Sequence, residues 1–491
     1  MKKALLIGLV LGLVTALAVP AMAVDLTASG WIGMRGYVFK NAAANAPGFV
    51  IAGPPWATGF YYEGTRSILN PGLPWGSGQM GAYINSRAQL GFTLRASEDL
   101  YGFFNLRMDG RLFGGDRGLG FWAAMGGSQI AVAVQDLYID FRIPPKLPLW
   151  ARVGLQPIAI RPWIFMYADT PGVSVRTMID AIKLSATAYY GKLADPNTLA
   201  ATDGAEFYAI DTKIPLSFGS VNIAPGVFFA LQDTRYSTAP FDPVLSCYDP
   251  IIGGPMDDMT LWWIGANFDG GVGPVKYQFD FIYNGGSLDL IGPPDVTVSA
   301  WLINGMVSFV FKKLEVGVAG KYISGEDAGD GTSETFRLPG DSNASATGYA
   351  SETPAASGDY IVWDNGWFTV GPGWPGMGLI DGPAPMWPGY WTVRMFTYFQ
   401  ATDWLKVGAQ FGYIGDTTHG NGYSIDAIGT DANDDSQIGW EFDFGVNLQL
   451  YKNLALETGF GYLMAGKALS MTGGFAPADP WALQSRLMYF F

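Results

Sequence analysis

The chain of 491 residues holds one cysteine, Cys247, and one histidine, His419. A single cysteine excludes an intrachain disulfide, and a single histidine excludes a multi-histidine metal centre. Charge is scarce too: 15% of residues are Asp, Glu, Lys or Arg, against roughly a quarter in soluble domains. The formal net charge of −14 argues against a nucleic-acid partner. Past the first 23 residues no apolar run approaches the ~18 residues of a membrane-spanning helix, which excludes a helical membrane protein. Yet 49% of the chain is hydrophobic and 15% aromatic, and that surface has to be covered by something.

The first 23 residues predict a secretory signal peptide. Lys2 and Lys3 precede an apolar stretch over 4–18, and Ala21-Met22-Ala23 is a small-residue exit for the peptidase. No cysteine follows for lipid attachment. The expected division is a cleaved leader, 1–23, and one domain, 24–491.

In that domain apolar residues recur at every second position. Over 84–95, Ile84, Ala88, Leu90, Phe92 and Leu94 share one parity, while Asn85, Arg87, Gln89, Thr93 and Arg95 take the other. Phe104, Leu106 and Met108 oppose Asn105, Arg107 and Asp109 in the same way. Trp440, Phe442, Phe444, Val446, Leu448 and Leu450 alternate with Glu441, Asp443, Asn447 and Gln449. Backbone amides inside lipid need protein partners, so a closed barrel is the only spanning alternative to helices, and alternation over about ten residues is its mark. An Arg turned to the bilayer midplane costs roughly 2–4 kcal/mol. A slip of one residue near Arg107 and Arg111 would pay this twice, which fixes the register.

Connections alternate between tight turns, such as Ser97-Glu98-Asp99-Leu100 and Phe311-Lys312-Lys313-Leu314, and long Gly-, Pro- and Asp-rich stretches, such as 41–82, 325–389 and 416–436. The pattern predicts an all-β, antiparallel up-and-down transmembrane barrel with short periplasmic turns and long extracellular loops. Eighteen strands are expected, or sixteen if 172–179 does not form one.

The last strand carries the most specific signal. Phe491 is terminal, and Tyr489, Leu487, Leu483 and Trp481 share its parity. This resembles the terminal assembly signal of outer-membrane barrels, and the domain as a whole resembles bacterial outer-membrane porins. Large, about eighteen-stranded substrate-selective porins are nearest in size, and 151–157 is similar to a segment of alginate-exporter-like barrels. The resemblance implies the outer membrane of a Gram-negative bacterium, the lipid bilayer and the outer-membrane assembly machinery as partners, a homotrimer as one assembly state, and passive diffusion of small solutes or ions without catalysis. Two alternatives stay open: a binding or structural barrel with a loop-plugged lumen, serving as adhesin or scaffold, and a channel for apolar compounds.

A water-filled pore works through fixed charges facing one another across it. The pore-lining candidates are Arg87, Arg95, Arg107 and Arg111 with Asp109, and next to them Asp136, Asp140, Arg142 and Arg152. A constriction needs an inward-folded loop; 159–171, with Arg161, Trp163 and Asp169, is one candidate and 113–130 the other. The loop 325–389 carries four tryptophans, and five prolines after Pro354, apolar surface that marks a contact with the barrel mouth, a neighbour or a ligand. Asp431, Asn433 and Asp435 have the opening spacing of a calcium loop, but Ser436 stands where its glycine belongs; no other cofactor is expected. His419, with Asp416 and Ser424 nearby, is the only hint of a hydrolase, and no second histidine supports it.

Overall fold

The computed structural model describes residues 25–40, 80–109, 131–143, 148–162, 164–194, 202–236, 248–249, 254–290, 295–325, 331–339, 360–362, 389–417, 436–469 and 479–491. The segment 1–23 expected to be a leader, the loop 113–130, Arg111, Trp163, His419, Cys247 and the Asp431, Asn433 and Asp435 set lie outside them. Arg87 and Asp109 are described as backbone only.

Eighteen long strands form the wall. They are β1 (Asp25–Lys40), β2 (Met80–Ser97), β3 (Leu100–Asp109), β4 (Ala131–Arg142), β5 (Leu149–Ile160) and β6 (Met166–Ile179). Then follow β7 (Leu184–Ala194), β8 (Thr202–Lys213), β9 (Val221–Tyr236), β10 (Gly254–Val272), β11 (Val275–Leu290) and β12 (Val296–Phe311). The last are β13 (Leu314–Ile323), β14 (Tyr390–Gln400), β15 (Leu405–Asp416), β16 (Gln437–Tyr451), β17 (Leu454–Ala465) and β18 (Trp481–Phe490). Each pairs antiparallel with the next, and β1 pairs with β18 from Trp31↔Phe490 to Lys40↔Trp481, so the sheet closes. The strand count is the eighteen expected, and the segment 172–179 lies within β6.

Tight turns gather at one end. Gly273-Pro274 joins Val272↔Val275 and Lys312-Lys313 joins Phe311↔Leu314. Such two-residue hairpins need a positive φ, which Gly273 supplies at 56° and Lys312, against its own preference, at 54°.

Exposure is inverted relative to a soluble protein. On β16, Phe442 and Phe444 are 42% and 44% exposed while Glu441 and Asp443 are 0% exposed. Charged groups are almost never fully buried in water-soluble folds unless paired, and such a phenylalanine-rich wall would not face water. Hydrocarbon outside and a polar interior reconcile the two. Among the described residues no helix is long and apolar enough to cross a membrane.

Two aromatic belts bound the apolar wall. The upper one runs through the cross-strand pairs Tyr283↔Trp301, Tyr322↔Trp391 and Tyr413↔Trp440, with Trp301 stacked on Tyr322 at 4.4 Å. The lower includes Trp404 and Tyr451, both exposed. From Trp440 to Leu450 the strand rises ~33 Å at about 3.3 Å per residue. A tilt of about 40° projects this to ~25 Å, the height of an outer-membrane apolar band.

Candidate pore and its constriction

Eighteen strands spaced ~4.8 Å and tilted ~40° enclose roughly 35 Å between opposite backbones. Side chains alone cannot fill that width. Two inward elements do much of it.

The first is a hairpin. β5 leaves β4 above Leu137↔Leu155, and β6 meets β7 only from Gly172↔Gly191. Between these points Gln156↔Thr170 through Ile160↔Met166 pair with each other alone. Freed from the wall, residues 156–162 and 164–171 fold inward to strands three to five places further round. Phe165, fully buried, packs on Phe228 of β9 at 4.7 Å and on Trp263 of β10 at 5.6 Å. Ile158, Ile160, Ile164 and Met166 are buried beside it. Arg161 forks onto Asp269 of β10 at 2.7 and 2.9 Å, and its Nε lies 2.5 Å from Asp280 of β11. Lys213 of β8 reaches the same Asp269 at 2.9 Å. A guanidinium fork with two carboxylates in a half-dry lumen is a strong, directional tie.

The second element is the long connection between β13 and β14, which after a short pairing at the rim of the wall buries Thr335 to Leu338 and Tyr360 to Val362. Thr332-Ser333 pairs parallel with Thr297-Val298 of β12. The Trp263 indole donates to the Arg337 carbonyl at 2.8 Å, and the Arg337 amide donates to Asn284 at 3.2 Å. On the far wall the amides of Ile361 and Val362 donate to Asp443 at 3.3 Å and Glu441 at 2.6 Å. Glycine makes that seat possible: a Cβ on Gly461 would stand 2.7 Å from the Ile361 Cβ, and one on Gly412 2.1 Å from the Tyr360 hydroxyl. Phe336, Leu338, Tyr360, Ile361 and Val362 join the hairpin tip and the inward apolar residues of β8–β12 in one buried cluster.

The polar wall is on the other side, β1–β6. A bulge at Gln135 (Asn105↔Asp136, then Leu106↔Val134) turns both Gln135 and Asp136 inward. Trp31 donates to Gln89 at 2.8 Å, Gln89 bonds Gln135, and Gln135 donates to Asp169 at 2.7 Å. Asn105 donates to Asp136 at 2.9 Å. Asp140, 0% exposed, accepts from Arg152 at 2.9 Å, from both Arg176 amino groups at 2.8 and 2.9 Å, and from the Tyr101 hydroxyl at 3.0 Å. Arg152 also lies over the Tyr138 ring at 4.1 Å.

The candidates read from sequence are thus distributed over three places. Asp136, Asp140 and Arg152 meet on one patch of wall, with Arg107 on the inward parity of β3 opposite Gln89. Arg161 and Asp169 belong to the hairpin. Arg95 and Arg142 sit toward the turn end, Arg95 over Tyr101 at 5.5 Å and Arg142 3.7 Å from Asp99 of the β2–β3 turn. Tyr489 and Phe491 face outward on the seam strand, their rings 5.9 Å apart. Sequence reasoning passed over Arg176, although it alternates with the outward Val173 and Val175, and over Asp269 and Asp280, whose partner is more than a hundred residues away. Among the described residues no group of three or more His, Cys, Asp or Glu is placed to hold a metal ion.

The sequence matches no protein-family model and no curated protein. Solved structures do align over nearly the full chain. Pseudomonas aeruginosa OccK8 (OprE) is 9% identical, with a TM-score of 0.49 over 95% of this chain and 98% of its own. OccK9 (OpdG) of the same organism is 11% identical, with a TM-score of 0.49 over 94% and 98%. The outer-membrane channel DcaP of Acinetobacter baumannii is 10% identical, with a TM-score of 0.41 over 95% and 97%. At this distance the resemblance is one of overall shape, and the assignment as a closed eighteen-stranded barrel rests on the chain's own strand pairing.

Proposed function

We propose that this chain is an outer-membrane porin, a conduit through which small polar solutes or ions diffuse passively along the β1–β6 wall past a constriction made by the 156–171 hairpin. One observation carries the reading: a lipid-exposed barrel whose lumen is apolar and filled on one side, and lined by Arg107, Asp136, Arg152 and Arg176 on the other. A solute moving there exchanges hydration for fixed charges of both signs, which is how selective pores lower the entry barrier. The apolar cluster narrows the passage without catalysing anything, and we read the protein as a channel, not an enzyme. Membrane assembly guided by Tyr489 and Phe491, and a homotrimeric state, belong to the same proposal.

The test is conductance of the purified, refolded protein in planar bilayers. Discrete, ohmic current steps are expected. Folded protein that inserts and carries no current overturns the proposal and favours the plugged scaffold.

A further inference from the structure

The outer surface has a concavity that the channel reading does not use. It lies on the outward side of β10–β12 and of Thr332, which pairs with Thr297 at the rim, at the height of the upper aromatic belt; it has a volume of about 650 Å³ and is lined by Thr260, Trp262, Tyr283, Thr297, Ser299 and Thr332 among others. Its floor is built by glycine. Trp262 lies over Gly285, where a Cβ would come within 2.4 Å of the indole, and Gly286, at φ 147°, has no room for one beside the Thr260 carbonyl. The Trp262 and Tyr283 rings stand 5.4 Å apart and tilted by 49°. The Tyr283 hydroxyl is tied to Ser299 at 3.1 Å, which fixes that ring.

Two tilted aromatic faces with hydroxyls around them suit a pyranose, whose C–H face packs on rings while its equatorial hydroxyls exchange hydrogen bonds. The surroundings decide against a phosphate. Asp233 stands opposite Thr260, and Asp258 opposite Asp289, with Arg235 the cation among these three acids. Carboxylates outnumbering cations repel an anion while leaving a neutral sugar unaffected.

We propose that this pocket binds an uncharged pyranose of a glycolipid headgroup in the outer leaflet. The proposal rests on the outer-membrane reading above, because that reading sets the long-loop end of the barrel outside the cell. A sugar in free solution has the same ring chemistry, but the pocket opens sideways at the belt, where an anchored headgroup is concentrated.

The experiment compares wild type with W262A/Y283A by native mass spectrometry, using three uncharged probes: monoglucosyl diacylglycerol, diacylglycerol without the sugar, and free methyl glucoside. Retention of the glucolipid by wild type, weakened ~10-fold or more in the double variant, with diacylglycerol and free glucoside retained far less, is the expected result. Equal retention by wild type and variant overturns the proposal, as does diacylglycerol binding as well as the glucolipid, or free glucoside binding as well as either. Heat-modified electrophoretic mobility checks that the variant is folded. If it is not, T260A/S299A, which keeps both rings, is expected to weaken retention several-fold, and no change overturns the proposal. Conductance of the double variant is expected to equal wild type, since the pocket lies outside the lumen. Loss of current in wild type with retention intact refutes the channel alone.

Discussion

Arg161 is the place to test whether the hairpin sets the size of the passage. Arg161→Ala removes the fork to Asp269 and leaves Asp280, 1% exposed, without its guanidinium partner, with the Asn304 and Gln278 amides still donating to it. Breaking such a pair costs on the order of 3–5 kcal/mol. The tip is also held by five buried apolar side chains, Ile158, Ile160, Ile164, Phe165 and Met166. At ~2 kcal/mol each they retain about 10 kcal/mol as an upper bound. The single change therefore loosens the hairpin without releasing it. Removing Phe165 as well takes away another ~3–5 kcal/mol, the cost of truncating a buried Phe, and brings the docked and free states within reach of each other. Single-channel recordings in planar bilayers are expected to show brief excursions to larger current for Arg161→Ala and a sustained increase for Arg161→Ala with Phe165→Ala. The wall pairings of β5 and β6 below the hairpin are untouched, so heat-modified mobility is expected to remain that of a folded barrel. A folded double variant with wild-type current refutes the assignment of 156–171 as the constriction.

Asp140→Asn releases Arg152 and Arg176 from their shared carboxylate; the reversal potential in a salt gradient is expected to move toward anions, and no shift means this patch does not face the passing ions. The accompanying loss of stability stays below the ~3–5 kcal/mol of a fully buried pair, because the Arg176 side chain is 38% exposed and screened. Phe92→Arg on the lipid face is expected to destabilise by roughly 2–4 kcal/mol, read as a lower urea midpoint for refolding into vesicles, whereas Thr93→Arg on the lumenal parity is expected to cost far less; equal midpoints contradict the assigned register. Deleting Phe491 removes the two backbone hydrogen bonds, 3.0 Å each, that join it to Gly30 at the seam, and is expected to lower the yield of membrane-assembled protein in cells several-fold, measured against refolding yield in detergent.

The wall was legible because hydrocarbon punishes a misplaced charge at every second residue. Arg107, Asp443 and Phe444 declared their faces without any tertiary information, and closure followed from the need to pair every backbone amide inside lipid. What lies inside the barrel was much less legible. Met259, Leu261 and Trp263 of β10 are apolar on the inward parity, which a water-filled lumen would not favour; they are buried because the hairpin and the long connection cover them. The run Trp262-Trp263, bulky on both faces, was the available signal that something packs against that wall from within. The segment 159–171 reads as a turn with aromatic content, but nothing local indicates that Arg161 pairs with Asp269 and Asp280, since that contact depends on how far round the wall the hairpin reaches. Arg142 shows the opposite limit: its parity marks it as lumenal, while its height, set by the adjacent turn, takes it to the rim beside Asp99.

The closing seam has a consequence for how the chain can be cut and rejoined. Phe491 exchanges hydrogen bonds with Gly30, so a linker spanning the overhang of Asp25 to Gly30, ~17 Å at about 3.3 Å per residue, would connect Phe491 to Asp25 without crossing the opening. New ends placed between Lys312 and Lys313 would then emerge on that same rim, and every strand would keep both of its neighbours. A circularly permuted gene of that design encodes the same cylinder with its order of synthesis rotated, in which the first strands made come from the middle of the present sequence.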